Sequence, residues 1–198
     1  MNEKIMEGIS APLLTPYLSD GQVNYEAYER LAAYVTGNGI HGVFVGGTTG
    51  EFVNLTIEER KNMLLAAKRG VAPGSRVMFN VTAMNLRDLE ELLKWAGEKG
   101  ADAVSVTAPY YHPYDQKALT EYFCRVADMA EGQPLYLYNM PGMTRNPIAA
   151  STLRAVADRC PNLKGIKDSS MDFMTLLEYQ CEVDKPGFEI ITGNDAQV

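Results

Sequence analysis

The chain has 198 residues, 46% hydrophobic and 22% charged, which excludes a disordered or collagen-like polymer and is enough for a sizeable core. Its formal charge of −7 argues against a partner bound through a phosphate backbone, so no nucleic acid is expected. Three cysteines without a CxxC, two histidines, an N-terminus without an apolar leader and no apolar run of about 18 residues predict a cytoplasmic chain with no disulfide framework, metal site or membrane span.

Short apolar runs rich in Val, Ile and Tyr alternate with longer amphipathic stretches. The run 9–14 predicts a buried strand. Asn24 then caps a helix over 25–37, and 42–45 predicts the second strand. Thr56 and Glu59 form a capping box ahead of Met63, Leu64, Ala66 and Ala67. After a strand at 77–81, Asn85 caps a helix over 86–99. Its Leu89, Leu92, Leu93 and Ala96 share a face, and Gly100 stops it. The strand at 103–107 leads to Asp115, which opens a helix carrying Leu119, Tyr122, Phe123, Val126 and Ala130. A strand at 135–138 precedes a helix with Pro147 at its first position, followed by Leu153, Val156 and Ala157. Strands at 163–167 and 188–192 flank a last helix carrying Phe173, Leu176 and Leu177.

Regular strand–helix alternation predicts a parallel sheet with crossover helices, and no linker divides the chain, so residues 1–198 are expected to form one domain. The first strand ends in Leu14-Thr15-Pro16 without a glycine cradle, which favours a (β/α)8 TIM barrel over a nucleotide-binding open sheet. Seven strands are predicted, and a typical barrel has about 250 residues. The expected barrel therefore lacks its eighth strand and C-terminal helices.

In such folds the chemistry sits at the C-terminal strand ends. Strand alternation puts Leu163, Gly165 and Lys167 on one face and Lys164, Ile166 and Asp168 on the other. With Ile166 under the helices, Lys167 points inward. A neutral amine there is a nucleophile toward carbonyls, as Schiff-base catalysis requires; a lysine that simply reaches solvent is the alternative. Tyr138, one strand away, can shuttle protons beside such an amine, or serve as a core tyrosine. The segment 46–51, GGTTGE, reads as an anion nest for a carboxylate or as an ordinary glycine-rich turn. Tyr110 and Tyr111 stand at the mouth as a subunit contact or lid, or pack on their own loop.

GGTTGE at 46–51, PYY at 109–111, YNMP at 138–141 and GIKDSS at 165–170 occur in order, each at a strand end. Together they resemble the dihydrodipicolinate synthase / N-acetylneuraminate lyase family of class I pyruvate-dependent aldolases, from Gly8 to the last residue. The resemblance implies a TIM barrel, a homo-oligomer (dimer or tetramer), and no metal or organic cofactor, the covalent lysine–pyruvate imine serving instead. It implies Lys167 as the imine-forming lysine, Tyr138 as general acid/base and Thr48 as a relay hydroxyl. Tyr111 would complete that relay across a dimer interface. Thr48 and Thr49, with Gly47, would hold the pyruvate carboxylate, and Ser169 and Gly193 would line the pocket.

Two positions depart from the family pattern. Met143 stands where the synthases carry an arginine for a second carboxylate, with Arg145 two residues on. Ala196 stands where the sialic acid lyases carry a glutamate. The expected reaction adds pyruvate to an aldehyde, or releases it, as in a 2-keto-3-deoxy sugar acid system. A 4-hydroxy-tetrahydrodipicolinate synthase, or a truncated inactive paralogue, is the alternative.

Overall fold

The computed structural model describes residues 4–197. Its seven strands are β1 (Ser10–Pro12), β2 (Gly42–Val45), β3 (Arg76–Asn80), β4 (Ala103–Thr107), β5 (Leu135–Asn139), β6 (Leu163–Asp168) and β7 (Glu189–Thr192). Between them run α1 (Tyr25–Gly37), α2 (Ile57–Gly70), α3 (Leu86–Glu98), α4 (Gln116–Met129), α5 (Pro141–Thr144), α6 (Ala150–Arg159) and α7 (Phe173–Glu182). Strand order follows the chain from β1 to β7. Parallel strands in chain order, joined by helices, are the TIM-barrel arrangement.

The chain divides into two compact units. One holds Ile5–Val81 with Glu91–Val104. Here β1 pairs with β2 and β2 with β3, both parallel, through Ser10↔Gly42 and Gly42↔Arg76. Polar side chains start the helices as the sequence predicts. The Asn24 side chain accepts from Ala27 N–H, and Thr56 and Glu59 complete their capping box. Each satisfies a backbone donor that an isolated helix leaves open. Helices α1 and α2 approach closely at Gly70, where any Cβ would run into Glu29 O.

The other unit holds Thr82–Glu90 and the described residues from Ser105 onward. Asp115 and Asp172 cap α4 and α7 through Ala118 N–H and Met174 N–H. Strand β5 pairs with β6 and β6 with β7, in parallel. A Cβ at Gly165 would meet the Tyr136 ring at 2.7 Å, so Gly165 and Tyr136 share a face. By alternation Tyr138 and Lys167 lie on that face too. The other face carries Leu137, Ile166, Asn139 and Asp168, and Asn139 Nδ2 donates to Asp168 Oδ1 (2.6 Å).

Two boundaries differ from expectation by more than one residue. The first strand is shorter than 9–14, because Ile9 and Leu14 are exposed and only Ser10–Pro12 pair with β2. Pro147 is not the first residue of its helix: α6 starts at Ala150 after Ala149 as N-cap. Pro147 lies in the preceding loop, where Gln116 holds both its carbonyl (Nε2, 2.9 Å) and Ala149 N–H (Oε1, 3.0 Å), and the extended Ala149 (ψ 152) keeps the helix from starting before Ala150.

Candidate active site

The C-terminal ends of β6 and β7 bring together Lys167, Ser169 and Gly193. Lys167 pairs in register with Tyr138 on β5. Its half-buried Nζ lies 3.8 Å from the centroid of the Tyr138 ring and 3.0 Å from Ser169 Oγ. Tyr138 is buried. The ring face of Tyr138 therefore borders the amine. This placement steadies a positive charge on nitrogen, as any cation over an aromatic ring is steadied.

Gly193 lies beside the amine. A Cβ there would fall on Ser169 Oγ and within 2.8 Å of Lys167 Nζ. Two backbone bonds fix these ends: Ser169 N–H donates to Asn139 O (2.9 Å) and Gly193 N–H to Asp168 O (2.6 Å). Asp168 is fully buried and its Oδ2 accepts from both the Ser170 N–H and hydroxyl, so the turn after Lys167 is closed on itself.

Below this rung lies a pair that sequence reading missed. The Tyr136 hydroxyl donates to the buried carboxylate of Glu189, which pairs in register with Gly165. The signal was a carboxylate inside the apolar run 188–192, where burial demands a partner.

Tyr111 stands in the loop after β4. It is 83% exposed, in a left-handed conformation (φ 81), with its ring edge-on to His112. Tyr110 beside it is half-buried.

In the other unit, Gly47, Thr48 and Thr49 form a tight turn after β2. Gly50 N–H donates to Gly47 O (3.1 Å) and Glu51 N–H to Thr48 O (3.0 Å). Thr48 is half-buried and Thr49 exposed. Among the described residues the Thr49 N–H has no acceptor. The turn needs its glycines: Gly46 has φ 64, and a Cβ at Gly47 would sit 2.5 Å from the Phe44 ring. Asn80 Nδ2 braces it through Gly46 O (2.7 Å), and the Thr15 hydroxyl through Gly50 O (2.6 Å). The buried Arg60 holds Asn80 O in turn (2.6 Å). Asn80 and Thr15 carried a legible sign, a polar residue closing an apolar strand. Arg60 carried none, since it reads as an ordinary helix residue.

Met143 and Arg145 are exposed around α5, and Arg145 is left-handed (φ 59). His41 lies before β2, where its Nδ1 accepts from Ile9 N–H (3.1 Å). Among the described residues no group of three or more His, Cys, Asp or Glu is placed to hold a metal ion. No helix among them is long and apolar enough to cross a membrane.

An in-order parallel β/α fold, with a lysine and a tyrosine in register at adjacent strand ends, is the TIM-barrel class. The chain belongs to the dihydrodipicolinate synthetase family, whose model matches residues 5–198. It is 38% identical over 175 residues to a 4-hydroxy-tetrahydrodipicolinate synthase of Thermus thermophilus, covering 88% of this chain and 57% of that protein. It is 32% identical over 199 residues to an N-acetylneuraminate lyase of Danio rerio, covering 98% and 65%. Its structure resembles a 2-keto 3-deoxygluconate aldolase from Picrophilus torridus, with TM-score 0.88 and 29% identity over 95% of this chain and 67% of that one. The chain thus spans 57% and 65% of the length of these two curated relatives.

Proposed function

We propose that this protein is a Schiff-base, pyruvate-dependent aldolase or lyase. The observation that carries the reading is Lys167 Nζ, 3.8 Å from the Tyr138 ring centroid and 3.0 Å from Ser169 Oγ, packed so close to Gly193 that only a residue without a side chain fits there. In this reading the Lys167 amine attacks the pyruvate keto carbon. Tyr138 moves the protons as the carbinolamine loses water, and Thr48 and Tyr111 join it in relaying the C3 proton of the next step. The iminium then loses a C3 proton to give an enamine, which adds to an aldehyde. Water finally returns the lysine, and the reverse sequence cleaves a hydroxy-keto acid. No metal or organic cofactor takes part. The free Thr49 N–H, with Thr48 and Gly47, suits a carboxylate.

The aldehyde partner is a neutral polyhydroxy aldehyde, as in 2-keto-3-deoxy sugar acids. Met143 offers no charge to a second carboxylate, and the similarity to the Picrophilus aldolase supports the same choice. A 4-hydroxy-tetrahydrodipicolinate synthase is the second reading, favoured by the Thermus relative. Residues 1–198 act as one domain of a cytoplasmic homo-oligomer, dimer or tetramer. Tyr111, solvent-facing at 83% exposure, is the side chain suited to reach a second copy.

Incubation with pyruvate and borohydride tests the reading. Wild type is expected to gain a reduced pyruvyl group on the peptide holding Lys167, and Lys167→Ala none. Equal labelling of both removes Lys167 from its role. No labelling of wild type favours an inactive paralogue. A higher kcat/KM with aspartate semialdehyde than with a neutral polyhydroxy aldehyde restores the synthase reading.

A further inference from the structure

Tyr111 is held neither by burial nor by backbone preference, since a left-handed tyrosine is disfavoured. Its loop is instead clasped from the segment after β5. Asn146 is itself 2% exposed. Its Nδ2 donates to Pro109 O (2.7 Å) and His112 O (2.8 Å), the carbonyls on either side of Tyr110 and Tyr111. Thr144 O lies 3.2 Å from the same nitrogen. Asn146 Oδ1 accepts from Tyr114 N–H (2.8 Å). Three loop backbone groups are thus satisfied by one amide, which both donates and accepts.

Asn146 is anchored in turn. Two residues on, Ile148 N–H donates to Asn139 Oδ1 (3.0 Å), and Asn139 Nδ2 holds Asp168. Asn139 follows Tyr138, and Asp168 follows Lys167. One line of buried amides therefore ties the backbones beside Lys167 and Tyr138 to the loop that carries Tyr111. Gln116 closes the loop's far end, its Nε2 donating to Pro147 O and its Oε1 accepting from Ala149 N–H (3.0 Å) and the Thr152 hydroxyl (2.6 Å).

Resting on the aldolase reading of Lys167, we propose that Asn146 is a positioning residue that holds Tyr111 in the left-handed, outward-facing conformation from which it reaches a second copy. No shorter or purely accepting side chain does this. Alanine leaves all three loop groups unheld, and an aspartate turns a carboxylate toward two carbonyls. Tyr111 then relaxes out of its left-handed conformation. Imine formation on Lys167 survives, while proton transfer through Tyr111 is lost.

Pyruvate alone tests this on the full chain, with two readouts. Borohydride labelling reports imine formation. Exchange of the pyruvate C3 protons with deuterium reports the proton transfers of the enamine. Asn146→Ala is expected to label within about 3-fold of wild type while C3 exchange slows roughly 10–100-fold, the scale for a displaced acid/base group. Tyr111→Phe is expected to slow exchange similarly. The double variant is expected to be no slower than the slower single one, within about 3-fold, because the two residues act through one group. A merely structural role would lower labelling and exchange together, and its loss would multiply with that of Tyr111→Phe; either result overturns the proposal, as does unchanged exchange in Asn146→Ala. If Asn146→Ala does not fold, the isosteric Asn146→Asp carries the same comparison. Failure of wild type to label at Lys167 overturns the aldolase reading itself, and is distinguishable from failure of Asn146 alone.

Discussion

Adding one methyl group at Gly193 separates a site defect from a folding defect. The new Cβ falls on Ser169 Oγ, 2.8 Å from Lys167 Nζ and 3.1 Å from Asp168 O. Ordinary contact is about 3.5 Å, so the amine must move by roughly 0.7 Å and the serine must rotate away. Ser169 Oγ and Lys167 Nζ are ends of flexible side chains and the Asp168 carbonyl has to give by only a few tenths of an ångström, so the fold tolerates the change. The lost Lys167–Ser169 hydrogen bond costs about 0.5–1.5 kcal/mol, and an off-rotamer lysine about as much. At roughly 2–4 °C per kcal/mol for a chain of this size, the thermal midpoint of Gly193→Ala falls by about 2–12 °C. The effect on chemistry is larger, since a misplacement near 1 Å costs about 10²-fold. Lys167 labelling by pyruvate and borohydride is expected to slow roughly 30–100-fold. Gly37→Ala, whose Cβ meets nothing within 4 Å, is the control and labels normally. If Gly193→Ala labels at the wild-type rate, the space beside the amine is not where pyruvate reacts.

Tyr138→Phe is expected to retain the fold, by circular dichroism, and to slow pyruvate C3 exchange about 10²–10⁴-fold. Tyr136→Phe acts on stability instead. It removes the hydrogen bond to the buried Glu189 carboxylate, a loss of about 1.5–3 kcal/mol, read as a lower thermal midpoint with labelling kept. Burial, and then the adjacent Cys124 thiol, push the Cys160 thiol up to about 12. Below that value it stays protonated and unreactive, so at pH 8 a thiol reagent is expected to modify the exposed Cys181 and spare Cys160 until the protein is denatured.

Much of the fold was legible along the chain because the signals are local. Asn24, Thr56, Asn85 and Asp115 each cap a helix through a backbone group no more than three residues away. Alternation within 163–168 put Lys167 and Gly165 on one face without knowledge of any other strand. The four motifs at strand ends likewise needed only their neighbours to be read. The boundary at Pro147 failed because the competing partner, Gln116, is 31 residues away and invisible to a local rule.

Tertiary structure alone decided what those side chains meet. Register between β5 and β6 put the ring face of Tyr138 against the Lys167 amine. The same register paired Tyr136 with Gly165, whose missing side chain makes room for the ring, and β7 supplied Glu189 to its hydroxyl. Asn146 reads in the sequence as one more polar loop residue, yet it holds carbonyls 34 and 37 residues away. Periodicity and capping follow from energies within a turn or a strand, so they are written in consecutive residues. Which buried donor finds which acceptor follows from packing across the sheet, and is settled only when the chain has folded.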